Sequence, residues 1–126
     1  MLRHHRAAIE AAIQDCMVIA TYNLNVVQLS PAAGYIEGEI MFVDGIRLSF
    51  FEFWRHLPGV LERDKYRYHV MDAKNHLIFR YDNAPHHREI STFPHHKHLP
   101  SGLRESTPPR LVDVLAEIEL FFLGLP

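Results

Sequence analysis

Apolar residues recur at helical spacing at both ends of the chain and alternate with polar residues in the middle. Between residues 3 and 17, apolar side chains fall at intervals of three and four, which predicts an amphipathic helix. Near the other end, Thr107 can cap a helix, Pro108 suits its first position and Gly124 suits its end. The pattern therefore predicts one helix at each end of the domain.

The central segments show the two-residue period of β-strands, and short polar connections between them favour antiparallel pairing. Residues 83–107 lack this period and hold several prolines, so we predict a long loop there. The whole chain, 1–126, is predicted to be a single α+β domain: a five-stranded, mostly antiparallel meander sheet with an N-terminal and a C-terminal helix. The predicted strands are residues 18–29, 35–43, 46–54, 65–71 and 76–82.

The dipeptide Asp44-Gly45 is a strong signal for a two-residue hairpin turn. A turn of that length pairs Met41 with Leu48 and fixes which side chains share a face of the sheet. That face is too apolar to stay exposed, so we predict a homodimer. The apolar residues placed together on it are Ile36, Ile40, Phe51 and Phe53.

The second predicted hairpin, residues 65–82, has two contrasting faces. The alternation places Tyr66, Tyr68 and Phe79 towards the core. The opposite face carries the polar residues Arg67, His69, Arg80 and Asp82.

Charge is distributed unevenly along the chain. The formal net charge is −2, yet residues 63–104 hold eight of the thirteen lysines and arginines and seven of the ten histidines. Both flanks are acidic. This asymmetry suggests an anionic ligand for the basic, histidine-rich segment.

The composition also indicates a compartment. The single cysteine excludes an internal disulfide framework and fits a reducing environment. The uncharged run 16–36 contains asparagine, glutamine, serine and proline, which argues against a membrane span. We expect a cytoplasmic protein without membrane association.

The histidine-rich segment suits cleavage of RNA without a metal ion. Imidazoles can act as base and acid near neutral pH, while guanidinium and ammonium groups stabilise charge on phosphate oxygens. Asp82 would orient a ring, although an Asp-Asn pair equally suits a structural turn. We predict a metal-independent endoribonuclease. The catalytic candidates are His86, His87, His96, His98 and Asp82; the candidates for binding RNA are Arg80, Lys97, Arg67, Tyr81 and Asn83.

Two other functions remain open. His96 and His98 point to one side of an extended chain and, with His86, could hold a divalent metal ion in a metal-dependent hydrolase or nuclease. His87, Asp82 or Glu52 could also complete such a site. The third possibility is a non-enzymatic module whose loop binds a protein partner.

Two motifs carry a resemblance to a known family. RYDNAPHH at residues 80–87 and FPHHKH at residues 93–98 resemble the TumE-type toxin family of toxin–antitoxin modules. The resemblance implies a cytoplasmic toxin and a cognate antitoxin protein that neutralises it by binding. The match also includes KYRYH at residues 65–69, and the positions carried over are Tyr66, Arg80, Asp82, Asn83, His86, His87, His96 and His98.

Overall fold

A single antiparallel sheet carries both helices on one of its faces. The structure, a computed structural model, describes residues 2–124. Within them the sheet has seven strands, which lie side by side in sequence order. The elements are α1 (Arg3–Asp15), β1 (Ile19–Ser30), β2 (Ala33–Phe42), β3 (Arg47–Leu57), β4 (Val60–Met71), β5 (Leu77–Asp82), β6 (His96–Leu99), β7 (Gly102–Glu105) and α2 (Leu111–Phe122).

The α+β class, the two terminal helices and the antiparallel meander are confirmed, but the predicted number of strands is wrong. The two additional strands, β6 and β7, lie in the segment predicted to be a loop. They form a hairpin of two four-residue strands joined by a two-residue turn, in which Leu99 pairs with Gly102. Because these strands are short and rich in charged and imidazole side chains, they lack the β-branched and aromatic signal of a typical strand.

The turn between β2 and β3 is one residue longer than the sequence predicted. Ile40, rather than Met41, pairs with Leu48, and the Phe42 amide donates to the Ile46 carbonyl. Gly45 supplies the positive φ, 89°, that closes this three-residue loop. A shift of one residue moves every side chain of a strand to the other face of the sheet.

The prediction that Ile36, Ile40, Phe51 and Phe53 lie on one face of the sheet was therefore wrong. Ile36 and Ile40 lie in the core beneath the helices, whereas Phe51 and Phe53 are half-buried on the face without helices. The homodimer stays a prediction, although these four residues do not form one apolar face.

Large aromatic side chains build the centre of the core. Tyr66, Tyr68 and Phe79 are all at least 97% buried, which confirms their predicted core positions. Gly38 lets Phe50 pack closely, because a Cβ at Gly38 would lie only 2.7 Å from the Phe50 ring.

The face of the sheet on which both helices pack is the helix side, and the opposite face is the open face. No helix within residues 2–124 is long and apolar enough to cross a membrane.

Candidate functional site

The strand register brings distant polar residues together on the open face. Paired residues in an antiparallel sheet lie side by side and project to the same face. Two such rows lie side by side and run across the four strands β3 to β6. One row runs Ser49, His69, Arg80, His98, and the other runs Phe51, Arg67, Asp82, His96.

Asp82 is the centre of this group. The residue is only 4% exposed, and its carboxylate accepts hydrogen bonds from Arg80 Nε at 2.9 Å and from the Ala84 amide at 3.0 Å. His96 Nε2 lies 2.8 Å from Oδ1, and His98 Nε2 lies 3.6 Å from Oδ2. Burial works to raise the pKa of Asp82, but the bonds from Arg80 and Ala84 and the charge of His96 outweigh it and keep the pKa below its ordinary value.

His96 is held between two acceptors. Its Nδ1 lies 2.9 Å from the Pro94 carbonyl oxygen, while its Nε2 faces the Asp82 carboxylate. A neutral ring can donate to only one of them, so both contacts are satisfied only when a second proton, or another cation, lies between Nε2 and Asp82. Because His96 is also 98% buried, we interpret it as a positioning residue rather than as a group that exchanges protons with a bound ligand.

His87 and His98 are the accessible rings of the cluster. Their side chains are 41% and 33% exposed, and their centroids lie 5.8 Å apart. Burial lowers the pKa of His98, and nearby His96, Arg80 and His87 lower it further, whereas Asp82 acts in the opposite direction. His98 is therefore neutral at pH 7. His87 has a left-handed backbone, φ 60°, a conformation that costs energy in a residue with a side chain.

These residues line one cleft of about 450 Å³. His69 separates it from a second cleft bounded by Arg47, Arg67 and Arg80. The buried Nδ1 of His69 has no hydrogen-bond partner among the described residues, and burial together with Arg80 and Arg67 lowers its pKa. The sequence placed His69 on this face without a role, and its alternation with Arg67 was the only signal. The cleft is lined by His69, Leu77, Arg80, Asp82, Ala84, His86, His87, His96 and His98.

Comparison with protein families identifies the chain. The family model described as Toxin TumE matches residues 9–122. The chain belongs to the TumE toxin family. Comparisons with curated proteins and with solved structures gave no match. The resemblance seen in the two motifs is thus confirmed. Membership makes this chain a toxin component and implies an antitoxin as its partner.

Two of the predicted RNA-binding residues lie on the other side of the sheet in this TumE-family chain. Lys97 Nζ forms an ion pair of 2.5 Å with Glu117 of α2, and the Tyr81 hydroxyl donates to the same carboxylate at 2.6 Å. Both side chains pack between the sheet and α2. The sheet separates both side chains from the histidine cleft, so they have no part in the reaction proposed for it.

The structure places His86 in the lining of the cleft, whereas the side chain of Asn83 bonds to the backbone of β4. The side-chain oxygen of Asn83 accepts from the Tyr66 amide at 3.0 Å, and its nitrogen donates to the Asp64 carbonyl at 3.0 Å. Asn83 thus connects the end of β5 to β4. His86 is exposed, with its ring 6.4 Å from that of His87.

The histidine cluster also has the composition of a metal site. One ring nitrogen from each of His87, His96 and His98 lies within 4.8 Å of the others. Tetrahedral zinc with bonds of about 2.0–2.1 Å places its nitrogen donors about 3.4 Å apart, so the rings would have to move closer together to hold an ion. His87 takes the place that the sequence assigned to His86. Glu52, another possible ligand, lies on the helix side of the sheet.

Proposed function

We propose that this toxin is a metal-independent endoribonuclease. Its proposed catalytic site is the histidine cleft, the cleft on the open face that is lined by His87, His96 and His98. The observation that supports this most directly is the convergence of His87, His98 and Arg80 around the buried carboxylate of Asp82. Cleavage of RNA by its own 2′-hydroxyl needs a base, an acid and a cation near the phosphate. This cluster offers all three.

In the proposed reaction, neutral His98 takes the proton from the ribose 2′-hydroxyl. The 2′-oxygen attacks phosphorus and forms a new O–P bond, while the bond from phosphorus to the 5′-oxygen breaks. His87, as an imidazolium, donates a proton to the departing 5′-oxygen. The products are a 2′,3′-cyclic phosphate and a free 5′-hydroxyl. The acid role is given to His87 because it is the more exposed of the two rings; Glu89 Oε1 lies 3.5 Å from its Nδ1.

Arg80 is the proposed phosphate-binding residue. Its Nε is held by Asp82, which fixes the plane of the guanidinium, and its terminal nitrogens have no hydrogen bond to the described residues. A guanidinium fork matches two phosphate oxygens. Arg67 pairs with Asp82 in the same row and borders the adjacent cleft, where it supplies a second positive charge. His69 also lines the cleft, but its unpartnered Nδ1 is buried and does not face the ligand.

The test is cleavage of single-stranded RNA by untagged protein in excess chelator. Activity should be undiminished, because the proposed steps use only side chains. His98→Asn should lower the rate by about 10²–10⁴-fold, the range for one acid–base group. His87→Asn should also be strongly impaired, because asparagine tolerates the left-handed backbone but cannot donate a proton. His76→Asn, at a hairpin turn and 74% exposed, is the matched control. Absence of RNA cleavage by the wild-type protein would contradict the proposal.

A metal-dependent hydrolase or nuclease is the second candidate. It is favoured by the spacing of His87, His96 and His98 and by the two acceptors that hold His96. The Pro94 carbonyl would fix Nδ1–H and leave Nε2 to bind the ion, an arrangement common in metal sites. Activity that disappears in chelator and returns with one metal ion would replace the first proposal with this one.

Growth-arrest assays address the non-enzymatic alternative. If His87→Asn and His98→Asn each abolish cleavage but the cells still stop growing, the toxin acts by binding. Light scattering at micromolar concentration tests the predicted homodimer, and a monomeric mass would contradict it.

A further inference from the structure

The helix side of the sheet contains a second cleft, which the proposed RNA cleavage does not use. It lies between α1 and the first turn of α2 and has a volume of about 450 Å³. Ala8, Ile9, Ala12 and Leu111 provide aliphatic walls, while Glu52 and Trp54 of β3 lie at its base. The cleft is therefore apolar at its sides and polar at its base, as ligand-binding clefts commonly are.

The buried carboxylate at the base already has its partners. Glu52 is 99% buried and accepts hydrogen bonds from His5 Nε2 at 2.8 Å, from Trp54 Nε1 at 3.1 Å and from the Tyr68 hydroxyl. Burial works to raise the pKa of Glu52, but these bonds, led by that from His5, keep it below the ordinary value. Glu52 is thus an ionised group inside the protein, and it does not need a cationic ligand.

Arg63 is different because its guanidinium forms no direct ion pair and reaches the Glu52 carboxylate only through the Tyr68 hydroxyl. One nitrogen donates to the Tyr68 hydroxyl at 2.6 Å, and the guanidinium lies 4.3 Å from the centroid of the Tyr66 ring. Within residues 2–124, no carboxylate forms an ion pair with Arg63, although the side chain is half-buried at the cleft. A partly desolvated guanidinium with free donors binds a carboxylate strongly. Arg110 also lines the cleft, but its charge is largely balanced by Asp113, whose Oδ2 lies 3.6 Å from Arg110 Nε.

We propose that this cleft binds the antitoxin, through a segment that inserts an apolar side chain between the helices and places a carboxylate against Arg63. The family requires an antitoxin partner, and the charge and the aliphatic walls of the cleft complement an acidic amphipathic segment. An RNA backbone would satisfy the charge but would gain little from the aliphatic walls. The inference rests on family membership and does not depend on RNA cleavage.

The experiment measures binding of the purified cognate antitoxin to the full chain by calorimetry. Ala8→Trp fills the mouth of the cleft from an exposed helix position, and Ala7→Trp, exposed on the same helix but outside the cleft, is its matched control. Arg63→Gln removes the charge, and Arg104→Gln, an exposed residue of β7, is the control for that change. Circular dichroism verifies that each variant is folded.

We expect Ala8→Trp and Arg63→Gln each to weaken antitoxin binding by at least about tenfold, with both controls within about twofold of wild type. His98→Asn should bind the antitoxin as wild type does. Unchanged binding by folded Ala8→Trp and Arg63→Gln would overturn the proposal. It would also be overturned if these two variants instead reduced self-association or binding to single-stranded RNA, since a second copy or RNA would then occupy the cleft. Failure of RNA cleavage in wild type would leave these binding results untouched.

Discussion

Replacing Asp82 with asparagine tests whether one buried charge organises the histidine cleft. The change preserves size but removes the negative charge. The asparagine oxygen can still accept from the Ala84 amide, whereas its amide nitrogen would face the donors of Arg80 or His96. At least two N–H donors would then face each other inside the protein without an acceptor between them. The positive charges around residue 82 would also lose their counter-charge.

The expected loss of stability follows from these contacts. A hydrogen bond to a charged group contributes about 1.5–3 kcal/mol, and removal of one partner of a buried ion pair costs about 3–5 kcal/mol. The side chain of Arg80 is 36% exposed and can regain water, which reduces the cost. We therefore expect Asp82→Asn to lower the free energy of unfolding by about 2–4 kcal/mol at pH 7.

The sign of the pH dependence follows from the lowered pKa of Asp82. As pH falls, the unfolded chain takes up a proton on this carboxyl before the folded chain does, so the stabilisation is present above about pH 4 and is lost below it. The difference between wild type and Asp82→Asn should therefore be largest at neutral pH and should shrink below pH 4.

Urea unfolding, followed by the fluorescence of the single tryptophan, measures both effects. Asp64→Asn is the control, because Asp64 pairs with the exposed Arg55 and such pairs contribute about 0–1 kcal/mol. A loss below about 0.5 kcal/mol for Asp82→Asn at pH 7 would refute the organising role. A difference that grows on acidification would refute its electrostatic origin.

Three further predictions concern other parts of the molecule. Gly38→Ala should lower the free energy of unfolding by about 1–3 kcal/mol in urea titrations, because its new Cβ would overlap neighbouring atoms; a neutral effect would contradict the close packing. Cys16 should resist alkylation at pH 8 until urea unfolds the chain, because burial raises the pKa of its thiol to about 11; rapid labelling of native protein would contradict this. The free energy of unfolding should fall as pH drops below about 6.5, because the lowered pKa values of His69 and His98 let the unfolded chain bind more protons than the folded chain. In His69→Asn, the urea midpoint should depend less steeply on pH; an unchanged pH dependence would contradict this prediction.

The order of elements was predictable because it depends on local periodicity. The terminal helices and the first five strands repeat their apolar positions over many residues. The inward aromatic residues and the outward Arg67, His69, Arg80 and Asp82 followed from the alternation of one hairpin. The Asp44-Gly45 register was not predictable to one residue, because a two-residue and a three-residue turn can both use glycine at a positive φ.

The position of Lys97 depends on β6, a strand that was not predicted from the sequence. Segment 96–98 is β-strand, so the residue between His96 and His98 must project to the opposite face. The same alternation that points His96 and His98 to the open face therefore points Lys97 to the helix side. Recognising β6 required the pairing of His98 with Arg80, a tertiary contact that local propensity does not report.

The same alternation explains how the histidines are held in place. On the helix side, Lys97 and Tyr81 both bind Glu117 of α2, and Lys97 Nζ also lies 4.8 Å from the centroid of the Tyr81 ring. These contacts attach β5 and β6 to a helix whose first turn lines the helix-side cleft. On the open face, Asp82 joins the same two strands through His96. The short strand that carries His96 and His98 is therefore fixed from both faces, so a partner that displaced α2 would disturb the histidine cleft without touching it.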